Sequence, residues 1–195
     1  MSRKKKPLVL LVDMDGVIVN LLAQWLPAYN EETGEDLKEE DIVEFELFKQ
    51  CKFPDKLQEI LLRQHTFFDA PPYKDSIKGL AQVLKDPRFQ VYILTQVPRF
   101  SIYGLFEKRM WMKKFFPDFN LENVIAAHKK HMVDGDVFFD DNPKHLKEYK
   151  KAGKKRVTVC MKHNYNSGAE ADYVVETWEE FRTFLDMLCQ KRGIK

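Results

Sequence analysis

Leu8-Val9-Leu10-Leu11-Val12-Asp13-Met14-Asp15-Gly16 is the stretch whose reading decides the fold. A short apolar run bounded by charge and glycine reads as a buried strand in the centre of a sheet. Two carboxylates at the carboxyl end of such a strand lie where open α/β sheets place their ligands. Like charges this close repel unless a cation is shared or one of them carries a proton. The junction therefore predicts a metal-assisted site in which one carboxylate is a nucleophile and the other an acid/base.

The rest of the chain alternates strands and helices around this start. Residues 21–29 carry apolar side chains at helical spacing (Leu22, Trp25, Leu26, Tyr29), and Gly34 is expected to break that helix. From residue 36 to 64 the composition turns acidic, then aromatic (Phe45, Phe48), then to a Leu57/Ile60/Leu61 stripe, which reads as a small helical insertion without a buried strand. After Pro71-Pro72 come a helix over 75–84, a strand over 90–94 ending at Thr95, and a helix over 107–116. Short strands follow over 124–126 and 137–139, the second ending at Asp140-Asp141. Asn142-Pro143 has the chemistry of a helix start, and that helix is expected to stop at Gly153. Strands over 157–160 and 173–175 precede a last helix opened by a capping box, Thr177 with Glu180. This order implies an α/β fold with a parallel sheet and right-handed crossovers. The expected organisation is a core of residues 1–18 and 72–195 with a small helical cap inserted over 19–71.

Bulk properties narrow the class. The chain has 195 residues, 44% of them hydrophobic with fifteen Phe, enough for a packed core and against disorder. A net charge of +2 does not call for nucleic acid as a partner. Cys51, Cys160 and Cys189 are odd in number and lack ligand-like spacing, as free thiols in a reducing cytosol would. The basic run at residues 3–6 reads as a solvated tail; the apolar run behind it is too short for a signal peptide and ends in aspartates. A cytoplasmic protein with no membrane association is the expectation. The aromatic-rich composition leaves a homodimer open.

Parallel strands point one way, so Asp13/Asp15, Thr95 and Asp140/Asp141 are expected to converge on one edge. Lys130 lies in the loop before the Asp140 strand. Carboxylates, a hydroxyl and a lysine together suit phosphoryl transfer: magnesium takes carboxylate oxygens and phosphate, and lysine neutralises phosphate as a point charge. Each residue also has a plainer reading. Lys130 between Lys129 and His131 could be part of a solvated basic turn, Lys108 a surface helix lysine, and the insertion phenylalanines core. His128 and His131 have no further soft ligands nearby in sequence to make a metal pair.

These motifs, in this order, resemble those of the haloacid dehalogenase-like (HAD) phosphohydrolase superfamily, whose core is Rossmann-like. Asp13-Met14-Asp15-Gly16 matches its first motif, Thr95 its second, Lys130 its third and Asp140-Asp141 its fourth. A narrower similarity is to its 5′(3′)-deoxyribonucleotidases. It rests on Phe67-Phe68-Asp69-Ala70-Pro71-Pro72, on Glu107-Lys108-Arg109-Met110-Trp111, and on the string from Lys130 through Asp136-Val137-Phe138-Phe139-Asp140-Asp141. Two departures bear on substrate range: the family's Thr-Ser-Pro is Thr95-Gln96-Val97-Pro98, and Asn142 stands where Arg is frequent.

The resemblance implies a Mg2+-dependent phosphatase of nucleoside monophosphates working through an aspartyl-phosphate. Asp13 would be the nucleophile and Asp15 the acid/base, with Thr95 and Lys130 completing the catalytic set. Magnesium would be held by Asp13, the backbone carbonyl of Asp15, and Asp141 with Asp140 behind it. Lys108 and Gln96 would contact the phosphate side of the substrate, and Phe45, Phe48, Phe67 and Phe68 its nucleoside. Base, sugar and 5′ or 3′ position are left open. Alternatives are a sugar phosphate or a 3′-phosphorylated nucleic-acid end as substrate, or a phosphate-binding module without turnover.

Overall fold

The computed structural model describes residues 5–153 and 156–195. Lys5 and Lys6 of the basic run are exposed, whereas Arg3 and Lys4 lie outside the described residues. Six strands form one parallel sheet: β1 (Leu8–Val12), β2 (Phe89–Thr95), β3 (Val124–Ala126), β4 (Val137–Asp140), β5 (Val157–Met161) and β6 (Tyr173–Val175). Their spatial order is β3-β2-β1-β4-β5-β6. The order reverses between β1 and β4, which makes the carboxyl ends of those two strands the switch point where such sheets hold ligands. Val12 lies opposite both Ile93 and Phe139, and Asp140 opposite Cys160, so Asp13, Thr95 and Asp140 arrive at one edge.

Helices cover both faces. The larger apolar cluster joins Leu10, Val12, Ile93 and Phe139 to α3 (Ser76–Leu84), α4 (Gly104–Phe115) and α6 (Trp178–Arg192). On the other face Leu11, Leu94 and Phe138 pack against Leu146 and Tyr149 of α5 (Pro143–Ala152). Because β1 and β4 are buried on both faces, they read as unbroken apolar runs rather than alternating ones.

Local chemistry sets most helix ends. The Asn142 side chain accepts from the Lys144 N–H and Pro143 takes the first turn of α5. Gly34, at φ 74°, ends α1 (Leu21–Thr33) by donating its N–H to the Asn30 carbonyl. Two ends differ from expectation. Gly153 is extended (φ −165°), so α5 stops without a left-handed cap. α4 begins at Gly104, three residues before the expected start; Leu105 and Phe106 in its first turn are exposed and offer no core-facing pattern. At α6 the Thr177 hydroxyl accepts from the Glu180 N–H as expected, but the Glu180 carboxylate accepts from Glu176 rather than from the cap residue.

Residues 20–71 leave the sheet and return to the same place. The Asn20 N–H donates to the Pro71 carbonyl at 2.8 Å, and the Tyr73 N–H to that of Ile18 at 2.9 Å. Between them lie α1, α2 (Pro54–Leu61) and two short 3-10 turns. They share an apolar cluster of their own around Leu26, Tyr29, Ile42, Leu57 and Ile60.

At the opposite end of the sheet Asp86 accepts from Arg88 (2.7 Å) and Arg182 (2.6 Å). The bonds from Arg88, together with Arg182, hold its carboxyl well below the usual range. A depressed folded pKa gives stability that is present above about pH 4 and lost as pH falls below it. Asp86→Asn is expected to cost about 1–2 kcal/mol at pH 7, a drop in melting temperature of about 2–6 °C. That gap should narrow toward pH 2–3. Melting curves of both proteins over this range check the sign, and a gap independent of pH would contradict it.

Candidate active site

Four carboxylates and two buried lysines meet at the switch point. Asp13 follows β1, and its N–H donates to the Phe139 carbonyl of β4 at 2.8 Å, which fixes the loop between the two strands. Its own Oδ1 accepts from the Met14 N–H at 2.7 Å. Lys130, 1% exposed, sets its Nζ at 2.7 Å from Asp13 Oδ2 and at 2.7 Å from Asp140 Oδ2. Lys108, fully buried on α4, ion-pairs with Asp15 and donates to Thr95 Oγ1 at 2.9 Å. Both lysines are thus buried charges paired with acids rather than solvated side chains.

The acids are not equivalent. Burial, reinforced by Asp140 and Asp15 and opposed by Lys130, pushes Asp13 up to about 7. Burial and the charges of Asp140 and Asp13 raise Asp141 well above the carboxylate range. Burial acts the same way on Asp140, but Lys130 and His145 outweigh it and hold Asp140 at about 2. Asp140 also accepts from the Asn142 N–H at 2.7 Å, so it is the carboxylate whose ionised form is best solvated by the protein.

A divalent cation fits this donor set. Ligand oxygens of Asp13, Asp140 and Asp141 all lie within 4.8 Å of one another. Four carboxylates facing two ammonium groups leave two negative charges in excess. Asp141 rests against Gly16: a Cβ built there would stand 2.0 Å from Asp141 Oδ2, and the residue has φ +72°. Glycine is required by both the fold of the turn and the room for the carboxylate. Oδ1 of Asp15 is buried without a hydrogen-bond partner among the described residues, which leaves it free to meet an incoming group.

The site opens into a cavity of about 490 Å³ whose lining includes Asp13, Asp15, Lys130 and Asp141 at its polar end. Phe45, Phe48, Phe67 and Gln96 also line it. Thr95, Lys108 and Asp140 stand behind that wall, linked to it through Asp15, Asp13 and Lys130. Phe68 does not line the cavity; its ring faces the Lys114 ammonium at 4.8 Å and the His65 ring. Beside it, the buried Glu107 accepts from the N–H groups of His65, Phe67 and Phe68 and so pins this segment to α4.

Sequence reading missed several residues here. Trp25, Tyr73, His145 and Tyr165 also line the cavity. Tyr165 donates to Asp141 Oδ2 at 2.7 Å, and His163 Nε2 lies 2.6 Å from the Gly16 carbonyl. A signal existed for both: they follow β5, whose carboxyl end lies on the ligand-binding edge. His131 contacts Glu148 at 3.4 Å and His128 is exposed, so that histidine pair contributes no metal site.

Solved structures share this fold. A haloacid dehalogenase-like hydrolase from Streptococcus pneumoniae superposes with a TM-score of 0.60 at 12% identity, covering 92% of this chain and 98% of that one. A Bacillus subtilis protein described as a HAD-hydrolase bound to magnesium gives a TM-score of 0.52 at 16% identity, covering 93% of this chain and 100% of that one. A fold of this kind with an Asp-x-Asp loop, a buried lysine and a second acid pair at its switch point defines a haloacid dehalogenase-like phosphatase.

Within that class, the chain belongs to the 5′ nucleotidase, deoxy (pyrimidine), cytosolic type C family, whose sequence model matches residues 6–192. Among individual relatives, the 5′(3′)-deoxyribonucleotidase of Bacillus subtilis is 26% identical over 175 residues, 88% of this chain and 95% of that protein. That of Clostridium acetobutylicum is 28% identical over 146 residues, covering 71% of this chain and 76% of its own length. No helix among the described residues is long and apolar enough to cross a membrane.

Proposed function

We propose that the protein hydrolyses the phosphomonoester of nucleoside monophosphates, deoxyribonucleotides foremost, with magnesium as cofactor. One observation carries the reading: a cavity with a carboxylate–lysine cluster at one end and Trp25, Phe45, Phe48 and Phe67 along its walls. A phosphate and an aromatic base make matching demands on such a site.

Asp13 attacks phosphorus in line through a carboxylate oxygen, and the ester P–O bond breaks as the aspartyl-phosphate forms. Its orientation is held by the Met14 N–H and by Lys130. Asp15 gives a proton to the departing alkoxide, then takes one from the water that cleaves the acyl phosphate. Lys130, Lys108 and Thr95 neutralise and hold the phosphoryl oxygens, and Gln96 reaches the same region from the cavity wall. Asp13, the backbone carbonyl of Asp15 and Asp141 would hold magnesium, with Asp140 behind them keeping Lys130 in place. When bound, the ion screens the approach of the carboxylate to the phosphate anion. Residues 19–71 act as a cap that closes this cavity from water, hinged where the chain leaves and rejoins the core beside Val19 and Pro72.

Phosphate release from 5′- and 3′-nucleoside and deoxynucleoside monophosphates and from sugar phosphates, with and without magnesium, tests the reading. Magnesium-dependent release concentrated on nucleotides is expected. A preference for sugar phosphates would overturn the substrate class, and no release from any of them would overturn hydrolysis.

A further inference from the structure

We propose that Tyr165 is a positioning residue for the metal-binding carboxylate of Asp141, and that its ring couples this carboxylate to the insertion. The inference rests on the magnesium site proposed above. It starts from one turn of chain after β5 that grips Asp141 twice. The Tyr165 hydroxyl donates to Asp141 Oδ2 at 2.7 Å, and the Asn166 side-chain amide donates to the Asp141 backbone carbonyl at 2.8 Å. The same amide is tied to the Met161 carbonyl at 2.8 Å, so the grip is anchored to the end of β5.

The ring is held from both sides. One face stacks on His163 at 4.8 Å, and His163 Nε2 sits 2.6 Å from the carbonyl of Gly16, the residue against which Asp141 rests. On the other side Tyr165 meets the edge of Phe45 at 5.8 Å and packs against the apolar cluster of the insertion. Next to it Asn164 donates to the Glu40 carbonyl of the insertion at 3.4 Å.

A merely packed tyrosine would not need its hydroxyl on a carboxylate that also faces Asp13 and Asp140. Like charges at this spacing push Asp141 to rotate away. A donor on one oxygen holds the side chain and leaves the other oxygen for the cation. Outer partners of this kind are worth about 10–100-fold in metal affinity. Phe45 touches no carboxylate, yet it braces the ring that does; closing the insertion over the cavity therefore tightens Asp141.

Binding of Mn2+ to the substrate-free protein, followed by the electron paramagnetic resonance of the free ion, tests this without reference to turnover. Tyr165→Phe keeps the ring and removes only the donor; it is expected to weaken Mn2+ binding about tenfold or more. Phe45→Ala is expected to weaken it roughly threefold in the same direction. Melting curves of the metal-free variants accompany both. A folded Tyr165→Phe that binds Mn2+ like the wild type would overturn the positioning role. An unchanged affinity in Phe45→Ala would overturn the coupling to the insertion. If the wild type itself failed to bind Mn2+, the magnesium site would fall, and this proposal with it.

Discussion

Asp13→Asn is expected to lower phosphate release by about four orders of magnitude or more while leaving the protein folded. The substitution keeps the shape of the side chain and removes its nucleophilic charge. Both carboxylate oxygens are already oriented, one by the Met14 N–H and the other by Lys130, so an amide can occupy the same place with one contact reversed. Stability should change little, because burial with Asp140 and Asp15 nearby already disfavours the ionised form of Asp13. A neutral side chain there gives up an ion pair but also relieves like-charge crowding. Single-turnover release of phosphate together with a melting curve separates the two effects. More than a tenth of wild-type turnover would rule out Asp13 as the nucleophile.

Lys130→Met is expected to do the opposite, with stability as its primary loss. The lysine is buried and its ammonium is shared between Asp13 and Asp140 at 2.7 Å each. Methionine fills similar space without charge, and two buried carboxylates are left without their counter-ion. Removing one partner of a buried ion pair costs about 3–5 kcal/mol. Urea unfolding of the metal-free protein should register a loss of that size. Saturating magnesium should recover part of it, since a ligand bound only by the folded state stabilises it. A loss below about 1 kcal/mol without metal would mean that Lys130 does not compensate these acids.

Much of the site was legible in the sequence because its parts sit at strand ends. Asp13, Asp15, Thr95, Asp140 and Asp141 each follow a short apolar run, and such runs are the most readable elements of a parallel sheet. Asn142-Pro143 marked the next helix start through a cap that depends on neighbours two residues away. Other features had no local signature. Phe67 and Phe68 are adjacent and chemically identical, yet one lines the cavity and the other faces Lys114. The start of α4 was hidden because Leu105 and Phe106 are exposed and the helical pattern begins only with Glu107. Tyr165 carries no motif; its role comes from a hydrogen bond to a residue 24 positions earlier.

The sequence by itself determined the α/β class, the strand order needed for a common edge, and the acids that stand there. These follow from short-range rules: apolar runs must be buried, helices between parallel strands cross over right-handed, and the strand ends then face one way. Only the tertiary structure decided which groups answer those acids. Lys108 reaches Asp15 from 93 residues away, and Lys130 divides itself between Asp13 and Asp140. Nothing in the spacing of either lysine distinguishes it from the many on the surface. The choice is made by burial: once the helices pack, a lysine at that place has lost its water, and an ion pair with the site's carboxylates is what replaces it.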